Sequence, residues 1–135
     1  MAAIILTSRT QAIADGVFVD VTNTPEYKEC NIRYPVALTR AVYESCVRWT
    51  EADTKSPQDE AARLWDLLYM FALQEKRNGQ TSFSFELYVV PRKGRGVRSR
   101  RVQLQAIRGP GDTSDPVYTI SHPTKAEETQ CLPRK

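Results

Sequence analysis

The chain has 135 residues, 41% hydrophobic and 26% charged, with 19 basic against 16 acidic side chains. That length suits one domain able to bury a core without staples, and the composition is that of a folded rather than a disordered chain. Three cysteines without paired spacing and a single histidine exclude a disulfide framework and a zinc cluster, and no apolar run approaches the ~18–20 residues of a membrane span.

AAIIL (2–6) is too short, and lacks the basic flank, for a signal peptide; it reads as a short strand or docked N-terminal arm. SRTQAIAD (8–15) reads as a short helix, capped by Thr7 or Ser8 and closed by Gly16. VFVDV (17–21) is β-rich and suits an edge strand. Thr24 before Pro25 starts one or two helical turns through PEYKEC, and Pro35 breaks what NIRY forms. TRAVYESCVRWTE (39–51) predicts a helix capped by Thr39. Val42, Cys46 and Trp49 share one face of it, and Arg40, Glu44 and Arg48 form a charged ladder on another.

SPQDEAARLWDLLYMFALQEKRNG (56–79) is the strongest helical signal. Ser56 caps it, Pro57 fills the first position, Asp59 and Glu60 complement the dipole, and Asn78–Gly79 ends it. Its apolar residues cover well over half the circumference, which predicts a central helix buried on more than one side. The period then changes to two. Phe83, Phe85, Leu87 and Val89 alternate with polar neighbours, as do Val102, Leu104 and Ala106 in a second strand; GPGDTSDP (109–116) is turn chemistry before a third strand, VYTIS (117–121).

The expected fold is α+β. A helical N-terminal half with a central buried helix packs on a three-stranded antiparallel meander. Residues 1–122 form the single domain, and 123–135 a flexible tail with little to bury.

Charge is unevenly spread. Residues 1–91 carry 9 basic and 12 acidic side chains, whereas residues 92–135 carry 10 and 4. Between Glu86 and Asp112 every charged side chain is basic: Arg92, Lys93, Arg95, Arg98, Arg100, Arg101 and Arg108. The spacing puts most of them at the tip and outgoing strand of the first hairpin. Arg101, Gln103 and Gln105 would line its outer face, a surface suited to phosphates and base edges. Three readings stand open for this arm: a solvated tip that opposes aggregation, a nucleic-acid contact with stacking from Tyr88 or Tyr118, or a docking arm for an acidic protein surface.

Catalytic chemistry is thin. His122 sits beside a proline at a strand end, and its neighbour Ser121 implies no triad. Cys46 lies on an apolar stripe, Cys30 in a loop that could be exposed, and Cys131 in the tail. Asp20 and Asp66 are carboxylates in apolar surroundings that need either an arginine partner or a role. GRGVRS precedes a strand rather than a helix, so it lacks the helix N-terminus of a phosphate loop.

DGVFVDV (15–21), YPVALTRAVYESCVRWTEAD (34–53), the LWDLL helix, VVPR and GPGD (109–112) arrive in an order that resembles a family of small uncharacterised bacterial proteins carried on plasmids and other mobile elements. The resemblance spans about residues 8–122 and implies a mobile-element setting, with no catalytic residues to map. The resulting expectation is a small cytoplasmic protein that is no enzyme and needs no cofactor or metal. It contacts nucleic acid through the basic hairpin or, alternatively, inhibits a host defence complex of restriction or CRISPR type with the same arm.

Overall fold

In a computed structural model of the chain, the residues described are 8–50, 59–78, 80–90, 98–113 and 115–123. The segments AAIIL, Ser56–Pro57, the hairpin turn with Arg92, Lys93 and Arg95, and the tail with Cys131 lie outside them.

Ser8 opens helix α1 (Arg9–Ala14): its hydroxyl accepts the Gln11 amide at 3.0 Å, satisfying a donor that every helix start leaves open. Gly16 closes the helix at φ +81°, and a Cβ there would meet the Arg40 guanidinium at 3.0 Å. Strand β1 (Phe18–Asp20) follows. The Thr24 hydroxyl caps α2 (Pro25–Glu29), as the Thr–Pro signal predicts. Asn31 then takes φ +59°, a conformation asparagine tolerates. Cys30, expected in an exposed loop, is buried at the end of α2.

The first large departure is at Val36–Thr39, which forms strand β2. Val36, Ala37 and Leu38 are all fully buried. A strand covered on both faces shows no alternation, so its sequence merges into the helical pattern that follows. That pattern is itself shorter than expected. Thr39 does cap a helical turn, α3 (Arg40–Val42), but Tyr43–Val47 is π-helical, closed by the Arg48 amide on the Tyr43 carbonyl at 2.9 Å. The Ser45 hydroxyl back-bonds to the Ala41 carbonyl at 2.9 Å, a contact that loosens an α-helical turn. Arg40 and Arg48 do flank Glu44, at 3.4 and 3.7 Å. Trp49, however, has left the helix, and its amide bonds the Glu60 carboxylate at 2.9 Å.

Helix α4 runs from Glu60 to Asn78. Leu64, Leu67, Leu68, Phe71 and Ala72 are buried, each large apolar side chain contributing roughly 1.5–3 kcal/mol. β3, the π-helical segment and α2 all pack against α4, but Tyr69, Met70 and Leu73 stay exposed, so its apolar surface is not fully covered. Strands β3 (Ser82–Val89) and β4 (Arg100–Pro110) form the hairpin, and β5 (Pro116–Ser121) completes the antiparallel run. In β3, Phe83, Phe85, Leu87 and Val89 are buried and their alternates exposed, as the period of two predicts.

The three-stranded meander is therefore one side of a larger sheet. Five strands lie in the order β1-β2-β5-β4-β3, and the N-terminal half supplies two of them rather than helices alone. β1–β2 is antiparallel and β2–β5 is parallel, so the sheet is mixed. The inner face packs on α2, the π-helical segment and α4. Phe71 is the hub, 4.8 Å from the Tyr118 ring, 5.7 Å from Phe83 and 5.9 Å from Phe85. Helix α1 lies on the opposite face, where Arg9 reaches the Thr119 hydroxyl at 3.0 Å and the Tyr118 carbonyl at 2.8 Å. Asp112 holds the start of α1, accepting from the Arg9 and Thr10 amides at 2.6 and 2.9 Å and from the Thr10 hydroxyl. α1 thus covers the β1-β2-β5 side, while Ser84, Glu86, Tyr88, Arg101 and Gln103 on the outer face of β3 and β4 are exposed.

Candidate nucleic-acid interface

The hairpin places its arginines by strand register. Arg100 lies opposite Val89 and Arg101 opposite Tyr88. Arg98, Arg100 and Arg101 are all exposed. Arg100 shares the inner side with Val102 but lies past the end of the core, as expected. Arg101 stands on the outer face with Gln103 and Gln105, facing Tyr88, Glu86 and Ser84 across the ladder. Its guanidinium comes within 3.9 Å of the Glu86 carboxylate, and both side chains remain more than half exposed. Such a pair is worth little in water and yields readily to a competing anion. Tyr88 is 65% exposed, so its ring is a free stacking surface beside Arg101.

Arg108 does not belong to this group. It lies seven residues along β4 from Arg101, about 24 Å away at strand rise. Its guanidinium sits over the rings of Tyr34 and Tyr118 at 5.3 and 5.8 Å and donates to the Tyr118 hydroxyl at 3.3 Å. Tyr118 in turn donates to Glu75 at 3.3 Å. Burial, then the Glu75 charge, push the Tyr118 phenol up. Charge alone grouped Arg108 with the hairpin; the aromatic pair that holds it comes from β5 and the residue before Pro35, invisible to local spacing. Tyr118, offered as a second stacking ring, is fully buried and cannot serve.

The carboxylates singled out in the sequence are not in buried polar pockets. Asp20 is exposed and accepts the Thr22 amide at 3.0 Å, a local turn contact. Asp66 is exposed on α4 and borders a cleft of about 220 Å³ with Cys46, Arg63, Leu87, Tyr88, Val89, Val90 and Ser99. The structural anchor of that cleft is Arg63. It is buried, donates to the Val47 carbonyl and the Val90 carbonyl at 3.0 Å each, and lies 4.8 Å over the Trp49 ring. It therefore ties the π-helical segment and the end of β3 to α4.

Ser45 and His122, which no sequence signal linked, are 3.2 Å apart, Oγ to Nε2. The same hydroxyl lies 2.9 Å from the Ala41 carbonyl, which competes for its single proton. Among the described residues no carboxylate orients the imidazole, which a hydrolytic dyad needs. Cys46 touches Ser45 at 3.5 Å, but burial raises its thiol pKa, and burial does the same to Cys30. Among the described residues no cluster of three His, Cys, Asp or Glu side chains could hold a metal, and no helix is long and apolar enough to cross a membrane.

The model of a family of unknown function, DUF6573, matches residues 1–126 of the chain. No curated protein and no solved structure matches the chain.

Proposed function

The chain belongs to that family of unknown function, and we propose from its own surface that it is a small, non-catalytic binding protein that contacts single-stranded nucleic acid through the basic hairpin. The observation that carries this reading is Tyr88, exposed and directly opposite Arg101 on the outer face of β3 and β4. Arginines supply phosphate contacts, an exposed ring supplies sequence-tolerant stacking, and Gln103 beside Gln105 supplies amide donors and acceptors for base edges. Arg98, Arg100 and Arg101, with Arg92, Lys93 and Arg95 of the same hairpin, are the proposed contacts. Arg108 is left out because its aromatic partners already hold it. A mobile-element setting and a cytoplasmic location, drawn from the resemblance and the cysteine usage, complete the proposal.

The test is fluorescence anisotropy with labelled single-stranded DNA and RNA across a salt series. Affinity should fall steeply with salt, and replacing Arg98, Arg100 and Arg101 by alanine should lower the log–log slope by about 0.7 per lost phosphate contact. Tyr88→Ala should weaken binding by about 1–3 kcal/mol with the slope unchanged. No binding to either nucleic acid at low salt refutes the reading and leaves the acidic-protein alternative. Pull-down from a host lysate that survives nuclease treatment would then support that alternative.

A further inference from the structure

Strand β3 is an edge of the sheet, and unlike β1 it is long, running straight from Ser82 to Val89 with an unbroken register to β4. The Arg108 amide bonds the Thr81 carbonyl at 2.7 Å, which fixes the phase of that ladder. Residues 83, 85, 87 and 89 therefore point their backbone groups at β4, while Ser82, Ser84, Glu86 and Tyr88 point theirs outward. Among the described residues no strand pairs with those four amides and four carbonyls, which form a template for one. The usual guards of an edge (proline, lysine or a bulge) are missing from 82–89.

A second unexplained feature lies beside it. Met70 and Leu73 on α4 are 37% and 39% exposed, the departure from the expected burial of this helix. With Asp66 and Arg77 they form one stripe at positions i, i+4, i+7 and i+11. Asp66 borders the same cleft as Leu87–Val90, and α2 packs on the opposite flank of α4, where Cys30 meets the Trp65 carbonyl. The stripe consequently looks out over the β3 edge.

We infer that this edge and this stripe together pair with a second copy of the chain about a two-fold axis. Two requirements select the register. Outward-pointing residues must meet outward-pointing residues, and the inner faces must be continuous, so the axis passes through a residue of β3 rather than between two. Centring on Glu86 would oppose two carboxylates; centring on Phe85 sets Glu86 opposite Ser84 of the second copy and Tyr88 opposite Ser82. Around the same axis the helices run antiparallel. Asp66 then faces Arg77 of the second copy, and Met70 faces Leu73. The two centres lie on the same part of the edge, because Phe71, in the middle of the stripe, packs against Phe83 and Phe85. An apolar pair flanked by opposite charges is thus self-complementary in a register the strand permits, as an isologous interface must be. The product is a ten-stranded sheet with the basic hairpins at opposite ends.

Sedimentation equilibrium of the full chain reads the outcome. The wild type should be dimeric in the micromolar range, with or without nucleic acid. Ser84→Glu places like charges opposite one another twice and should raise the dissociation constant about tenfold. Ser84→Lys, facing Glu86, should not weaken pairing. Asp66→Arg should weaken it, and Asp66→Arg with Arg77→Asp should restore it. Circular dichroism confirms that each variant keeps its fold; Ser84, Asp66 and Arg77 are exposed, so it should. A wild type that stays monomeric at about 100 μM, equal effects of Ser84→Glu and Ser84→Lys, or a charge swap that fails to restore association would each overturn the inference. A monomer whose β3 edge captures a foreign extended peptide would also overturn it.

Discussion

Replacing Arg63 by methionine should lower stability far more than any exposed arginine in the hairpin. The change removes charge-assisted hydrogen bonds, among them those to the Val47 and Val90 carbonyls at 3.0 Å each, and the stack on Trp49 at 4.8 Å. A hydrogen bond from a charged group is worth roughly 1.5–3 kcal/mol, and a partly desolvated cation–π contact about 0.5–2 kcal/mol. Methionine recovers part of this, since it keeps the stem's packing and spares the desolvation of a charge. A net loss of about 3 kcal/mol remains, largely from the buried Val47 carbonyl left without a donor. At ~2.1 cal/mol/K per residue, a chain of 135 residues has an unfolding entropy near 0.28 kcal/mol/K. The midpoint should therefore fall by about 10 °C. Arg63→Lys keeps a donor and the charge but not the fork, and should recover roughly half of that. Thermal melts followed by circular dichroism, with urea titrations to check the slope, measure both. A methionine variant melting within about 3 °C of wild type would show that Arg63 does not tie the π-helical segment and β3 to α4.

The Asp112 carboxylate is held below its ordinary 3.8, first by the Thr10 hydroxyl, then by the Thr10 and Arg9 amides. A depressed carboxylate stabilises the fold above its unfolded pKa, and that contribution is lost as pH falls through the lower, folded value. Hydrogen exchange at the α1 amides should accelerate below pH 3.8 relative to the rest of the sheet, beyond the intrinsic pH effect; Asp112→Asn should flatten the difference, and identical profiles for both proteins would contradict the anchor. Cys30 and Cys46 are buried with thiols pushed up, so a disulfide reagent should label them at the rate of unfolding. Rapid labelling of either in the native protein would mean that α2 or the π-helical segment opens far more easily than its packing implies.

The parts of the fold legible in the sequence are those whose signal is local. Caps at Ser8, Thr24 and Thr39, the two-residue period of β3 and β4, and the polar ends of α4 all report on neighbours within one turn or one pleat. Val36–Leu38 is legible only once its two neighbours are known, because a centrally placed strand has no polar face to mark it. The π-helical segment buries Cys46 and Val47 as an α-helix there would, and its wider turn, the Arg48 amide on the Tyr43 carbonyl, carries no mark in the apolar pattern. The candidate site divides in the same way. Arg101 opposite Tyr88 follows from strand alternation. The removal of Arg108 depends on Tyr34, which reaches it only through the parallel pairing of β2 with β5.

That parallel pairing also dictates an order of assembly. Residues 36–38 have no ladder partner on one side until residues 118–120 exist, so the seam of the sheet joins the two most distant parts of the domain. The β3–β4 and β1–β2 pairs join residues close in sequence, whereas the β2–β5 seam closes a far longer loop before its contacts bring any reward. Until that seam closes, Val36, Ala37 and Leu38, buried in the native sheet, lack a strand on the β5 side. The chain's most vulnerable moment is thus set by topology, and it ends only when β5 slides in beside β2.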